Sequence, residues 1–221
     1  MIRLMPRLET FLPPDSEVAS LADYIAGQKH SLDIEYDILC ELPDKDPNRE
    51  MLKAVYRDDW DTVRNMIGPQ VSAQIAYDAC HGNDSLSPIL NHKLLGFLIE
   101  YDPACLLRPP LPDEADGSML HATLQGNPAP SVVKALLLAG VDPRQKNNAG
   151  EDFLEAIKKQ YEKYRTTAKM TGIPLLDGEK PADYEKIITM VDRFISQQDT
   201  AQEQGWQDSL RHKRQPPAPS L

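Results

Sequence analysis

The stretch from Asp116 to Ala156, DGSMLHATLQGNPAPSVVKALLLAGVDPRQKNNAGEDFLEA, narrows the possible folds more than any other part of the chain. From Ser131 onward, Val132, Val133, Leu136 and Leu137 form apolar pairs four positions apart, which is one face of a short helix. Ser131 stands where a side-chain oxygen caps the free amides of a first turn. Gly140 stands where a chain leaves a helix through positive φ. Upstream, Gly117 and Ser118 precede Met119, Leu120, Ala122 and Leu124, a second short apolar helix that closes at Gly126. Downstream, Val141-Asp142-Pro143 and Asn147-Asn148-Ala149-Gly150 are two turn signals with a polar strip between them. The local expectation is helix, turn, helix, outstretched turn.

Gly117, Leu120-His121, Gly126, Val132-Val133, Leu136-Leu137 and Gly140-Val141-Asp142, taken together, resemble the unit of the ankyrin repeat family. Gly150, Phe153-Leu154 and Ala156 restart the pattern after the roughly 33-residue period of that family. The unit is degenerate. Ser118-Met119 replace the family's Thr-Pro with one residue missing, and Asn127-Pro128-Ala129-Pro130 lengthens the turn between the helices. The resemblance implies an all-α, ankyrin-like helical repeat solenoid with N- and C-terminal helical caps. It also implies a concave surface of turns and inner helices used to hold another protein.

The same rhythm is legible elsewhere. Met51, Leu52, Ala54 and Val55, then Trp60, Val63, Met66 and Ile67, give helix, turn and helix, with Asp58-Asp59 at the turn. Val63, Met66 and Ile67 stand 70 residues before Val133, Leu136 and Leu137, about two family periods. Between them lies a weaker unit: Val71, Ile75, Ala76, Ala79 and Cys80 on one helical face, Leu94, Leu95, Leu98 and Ile99 on the other. Asp102-Pro103 then leads into PACLLRPPLPDEADG, read as an exposed connection and a candidate for contact. The last unit begins at Phe153, Leu154, Ile157 and Tyr161. Residues 163–181 intervene before an amphipathic helix through Tyr184, Ile187, Val191 and Phe194.

The expected organisation is a lead-in and helical cap over residues 1–42, about four degenerate units over 43–198 and a disordered tail over 199–221. In the cap, a helix capped by Asp15 or Ser16 runs through Val18, Leu21, Ala22 and Ile25 to Gly27, and a second follows from Ser31. Solenoids need such caps because their terminal apolar faces otherwise meet water. The tail's Lys213, Pro216 and Pro219 fit a polyproline ligand, and its Arg211-His212-Lys213-Arg214 a weak import signal. A solvated tail is the default for both.

The formal net charge of -10 opposes long-range attraction to nucleic acid or an anionic membrane and favours a partner with a basic segment. Cys40, Cys80 and Cys105, irregularly spaced among apolar neighbours, read as reduced thiols of an intracellular, cytoplasmic or nuclear protein. No phosphate-cradling glycine loop, serine elbow or paired metal-ligand motif is present, so no catalytic, cofactor or metal residue is assigned. The Cys80-His81 pair with Asp78 and His92 matches no compact zinc spacing.

The expected function is therefore a non-enzymatic interaction module, scaffold or assembly subunit. Candidate contacts are Tyr56, Arg57, Asp59 and Trp60 at the first unit's turn, His121 and Asn127 in the third, and Arg144, Lys146 and Asn147 on its outstretched finger. Trp60 has a competing role in the core, and the family's histidine at the position of His121 bonds backbone in a neighbouring turn. Two rivals stand beside this reading: a structural subunit held by its N-terminal helices or insertions, and an enzyme or host-directed effector with a cryptic site.

Overall fold

The computed structural model describes residues 18–28, 47–67, 76–77, 79–80, 88–107, 117–125, 128–171 and 181–214. The expected lead-in at 1–14, the helix from Ser31 and Asn127 lie outside these residues. Among the described residues the secondary structure is entirely helical, with turns between. The protein is all-α.

The helices are α1 (Leu21–Gly27), α2 (Pro47–Tyr56), α3 (Trp60–Met66), α4 (Pro88–Tyr101), α5 (Met119–Ala122), α6 (Pro130–Leu138), α7 (Phe153–Thr171) and α8 (Pro181–Arg214), with a 3-10 turn at Pro103–Leu107. Four of them begin on proline, whose fixed φ suits a first helical residue and whose missing amide proton would have no intrahelical acceptor there. Residues 76, 77, 79 and 80 are also helical, and all four are buried.

Several local expectations change. Helix α1 starts at Leu21 rather than near Asp15. Ser20 is its cap, accepting from the Asp23 amide at 3.1 Å while its hydroxyl donates to the Asp23 carboxylate at 2.6 Å. Helix α6 starts on Pro130, so Ser131 is a buried helical residue instead of the cap. The connection after Asp102 is exposed at Pro103, Ala104 and Leu107 but anchors itself through Cys105 and Leu106, which are buried in the 3-10 turn. Helix α8 continues to Arg214, so residues 199–214 are helical rather than a disordered tail.

Helices α2 and α6 end the same way. After α2, Asp58 sits at φ 56°, its amide donates to Val55 O at 3.3 Å and the Asp59 amide to Ala54 O at 2.9 Å. After α6, Gly140 sits at φ 93°, its amide donates to Leu137 O and that of Val141 to Leu136 O, both at 3.1 Å. Both are six-to-one, five-to-two closures that satisfy the last carbonyls. Aspartate is tolerated at the first because a short polar side chain suits the left-handed region.

The core is one continuous cluster. Helix α6 is its centre, with Val133, Leu136 and Leu137 fully buried, and it packs on α1, α4, α5 and α8. Helix α8 lays Tyr184, Ile187, Val191 and Phe194, a stripe of alternating three- and four-residue steps, against α6 and α7. Helix α1 crosses α4 and α6. Buried Lys134 of α6 ties the chain entering α1 to the core by donating to Val18 O at 2.9 Å, an anchor that the sequence pattern does not announce.

Gly117 is required where it stands. It has φ 96°, and a Cβ there would meet His121 Nδ1 at 2.7 Å. That close approach lets the Ser118 amide donate to Nδ1 at 3.2 Å, with the Ser118 hydroxyl 3.0 Å from the same nitrogen.

Candidate interaction groove

The residues proposed from sequence fall into two environments. On the finger, Asn147 Oδ1 accepts from the amides of Ala149 and Glu151 at 3.0 and 2.9 Å, closing the turn on itself. Lys146 pairs with Asp152 at 3.1 Å and Glu155 at 2.9 Å, and these carboxylates, Glu155 foremost, raise its pKa above the ordinary lysine value. The Arg144 guanidinium reaches α8, donating to Gln198 Oε1 at 2.8 Å, Ile195 O at 3.2 Å and the Asp199 carboxylate. The finger is fastened to the fold. His121 is buried, its ring edge-on to Phe153 at 5.9 Å.

The turn between α2 and α3 is different. Arg57 and Asp59 are exposed, Tyr56 and Trp60 half-buried. Asp59 caps α3, accepting from the Thr62 hydroxyl at 2.7 Å and the Thr62 amide at 3.2 Å, and these bonds hold its carboxyl below the usual range. Trp60 then lies in the wall of a groove of about 850 Å³ whose described lining comes from α1, α3 and α4, with Asp58 of the turn and Ala135 of α6.

Three helix faces build the groove by spacing alone. Helix α4 contributes Lys93, Gly96, Phe97, Glu100 and Tyr101, at steps of three and four residues. Helix α1 contributes Leu21, Ala22, Ile25 and Ala26, and α3 contributes Trp60 and Arg64. Trp60 stacks on Phe97 with centroids 4.8 Å apart and planes 4° from parallel, and Phe97 stacks on Tyr101 at 5.3 Å and 11°. Arg64 lies over the Phe97 and Tyr101 rings at 5.8 and 5.2 Å. Tyr101 remains 47% exposed, so the ladder ends in solvent.

The charges at the groove are mostly spent internally. Lys93 pairs with Asp58 at 2.9 Å and also donates to Tyr56 O at 3.1 Å. Arg64 pairs with Asp61 at 2.8 Å. Glu100 is exposed and makes no ion pair with a described residue.

Sequence reasoning named Trp60 but missed Phe97, on which it stacks, and Arg64, Glu100 and Tyr101, which line the same groove. The signal was there: Phe97 and Tyr101 are four apart on α4, and Trp60 and Arg64 four apart on α3. What the sequence lacks is the packing that sets the two stripes face to face.

Other chemistry is sparse. Cys80 and Cys105 are buried and unbridged, and burial pushes the Cys80 thiol far up, away from a thiolate nucleophile. Cys40 lies outside the described residues. Among the described residues no three His, Cys, Asp or Glu side chains gather as metal ligands, and no helix is long and apolar enough to cross a membrane. No family model, curated protein or solved structure matches the chain.

Proposed function

We propose that this chain is a non-enzymatic protein-interaction module of degenerate ankyrin-like units, a scaffold or subunit of a larger assembly, that takes its partner in the α1/α3/α4 groove. The open Trp60–Phe97–Tyr101 ladder carries the reading. Aromatic side chains offer large contact area for little conformational entropy, and a concave, mostly apolar site flanked by a few charges is what a recognition surface needs. The repeat-like spacing of the sequence and the shared helix-ending geometry after α2 and α6 support the ankyrin-like part of the proposal.

The finger is the weaker candidate, since Arg144, Lys146 and Asn147 already hold α8, Asp152, Glu155 and the turn itself. Partner contact there would first have to break those bonds. The acidic balance of -10 argues for a protein with a basic segment over nucleic acid or an anionic membrane surface.

The test compares capture from cell extract by three tagged forms, read by quantitative mass spectrometry. A stoichiometric partner should be held by the wild-type protein and by Lys146→Ala, and lost from the Trp60→Ala/Tyr101→Ala double variant. Equal retention by the double variant, with its helical circular dichroism intact, removes the groove as the contact.

A further inference from the structure

We propose that the groove receives one amphipathic helix from another protein, apolar on the face turned inward and cationic at the position beside Glu100. The inference rests on the interaction reading above and names the class of partner.

The small side chains of the lining decide the shape. Ala22 and Ala26, both exposed, stand one turn apart on α1, with Gly96 on α4 and Ala135 on α6. Gly96 lies inside a helix, where glycine is less favourable than alanine. Among the described residues an added Cβ would meet only Leu21 Cδ2, at an ordinary 3.6 Å, so the described packing does not ask for glycine there. Gly96 is itself part of the groove lining. A lining of small residues is what lets a second helix axis come within the roughly 8–10 Å of packed helices.

Other peptide shapes fit less well. No strand edge exists among the described residues to pair with an extended segment. A polyproline ligand docks its rings between separated aromatics. Here the rings are stacked on one another at 4.8 and 5.3 Å, which leaves no slot between them.

Charge completes the description. Lys93 and Arg64 are paired with Asp58 and Asp61, so among the described lining charges Glu100 is the one with no ion pair to a described residue. A cation on the incoming helix supplies it. A second copy of this chain, itself at -10, is repelled at long range.

The experiment uses the full chain as Trp206→Phe, so that Trp60 is the emitting tryptophan, and titrates synthetic peptides of about 18 residues, long enough to present anchors at i, i+3, i+4 and i+7. A leucine/lysine amphipathic peptide should shift Trp60 emission saturably. Gly96→Leu and Ala22→Leu, each crowding the lining, should weaken it by roughly tenfold or more while the fold persists, and Glu100→Gln by several-fold. A glutamate-for-lysine peptide binding equally well overturns the charge assignment. A scrambled or proline-interrupted peptide binding equally well overturns the helical occupant. No saturable shift with any peptide also overturns it, and a wild-type dimer that Gly96→Leu dissociates in sedimentation assigns the groove to a second copy. Failure here beside a cellular partner that still depends on Trp60 and Tyr101 sinks the helix and leaves the groove as the contact.

Discussion

Two regions of this molecule use their charged and aromatic side chains differently. Between Gly117 and Gly150, His121 is buried with Nδ1 accepting from the Ser118 amide and its ring edge-on to Phe153, while Lys134, Arg144 and Lys146 are fastened to Val18 O, to α8 and to Asp152 and Glu155. The α1/α3/α4 region is held by stacking and a few ion pairs around an open groove. Basic side chains spent within the fold mark the scaffold, and an aromatic ladder that ends in solvent marks the surface available to a partner.

The comparison breaks first at the cores. Leu136→Ala, at a fully buried position in α6, should lower unfolding free energy by about 2–5 kcal/mol in urea titration. Tyr101→Ala, at the half-exposed end of the ladder, should lower it by about 1 kcal/mol, the scale of one aromatic stacking pair. Similar losses at the two sites would mean that the groove wall is core after all.

Acid should find the second region before the first. Burial lowers the pKa of His92, on α4, from 6.5 to about 4, so the unfolded chain binds a proton there that the native state refuses between those values. Its contribution is complete above pH 6.5 and is lost as pH falls through that window, by at most about 3 kcal/mol at the acid end. His92→Phe should flatten the stability profile between pH 6.5 and 4. A profile unchanged by the substitution would show that His92 takes up its proton as readily folded as unfolded.

Legibility follows the same divide. The stretch from residue 117 to 150 was readable because its determinants are local: Gly117, Gly140, the Val132-Val133 and Leu136-Leu137 pairs and the Asn147 turn each act within a few residues. The groove was not, because Trp60 meets Phe97 only through packing of α3 against α4, 37 residues on. Prolines are easily misread for a physical reason: Pro47 and Pro88 each open a helix, since a first helical residue needs no amide donor. The tail misled for another: after Trp206 few apolar side chains remain, but helix α8, anchored through Tyr184 to Phe194, propagates to Arg214 at small cost per added residue.

A smaller effect separates the finger from the groove. Arg144→Ala removes the bonds to Gln198, Ile195 O and Asp199 and should cost about 1 kcal/mol, because the side chain is partly exposed. Hydrogen exchange should rise at residues 195–199 of α8 while peptide binding to the groove stays constant. Binding that falls with it would couple the two regions.

The smallest expected effect has the opposite sign. Gly96→Ala replaces a glycine inside α4 with the best helix former, and the new methyl meets Leu21 Cδ2 at an ordinary 3.6 Å. Stability should rise by up to about 1 kcal/mol, read as a higher urea midpoint at unchanged slope. The same methyl narrows the groove, so a helical peptide should bind less tightly to the more stable protein. A gain in stability joined to a loss in affinity assigns the glycine to the partner. A loss of stability instead means that the space beside Gly96 is already filled when the chain folds by itself, and that the groove is an internal contact of the fold.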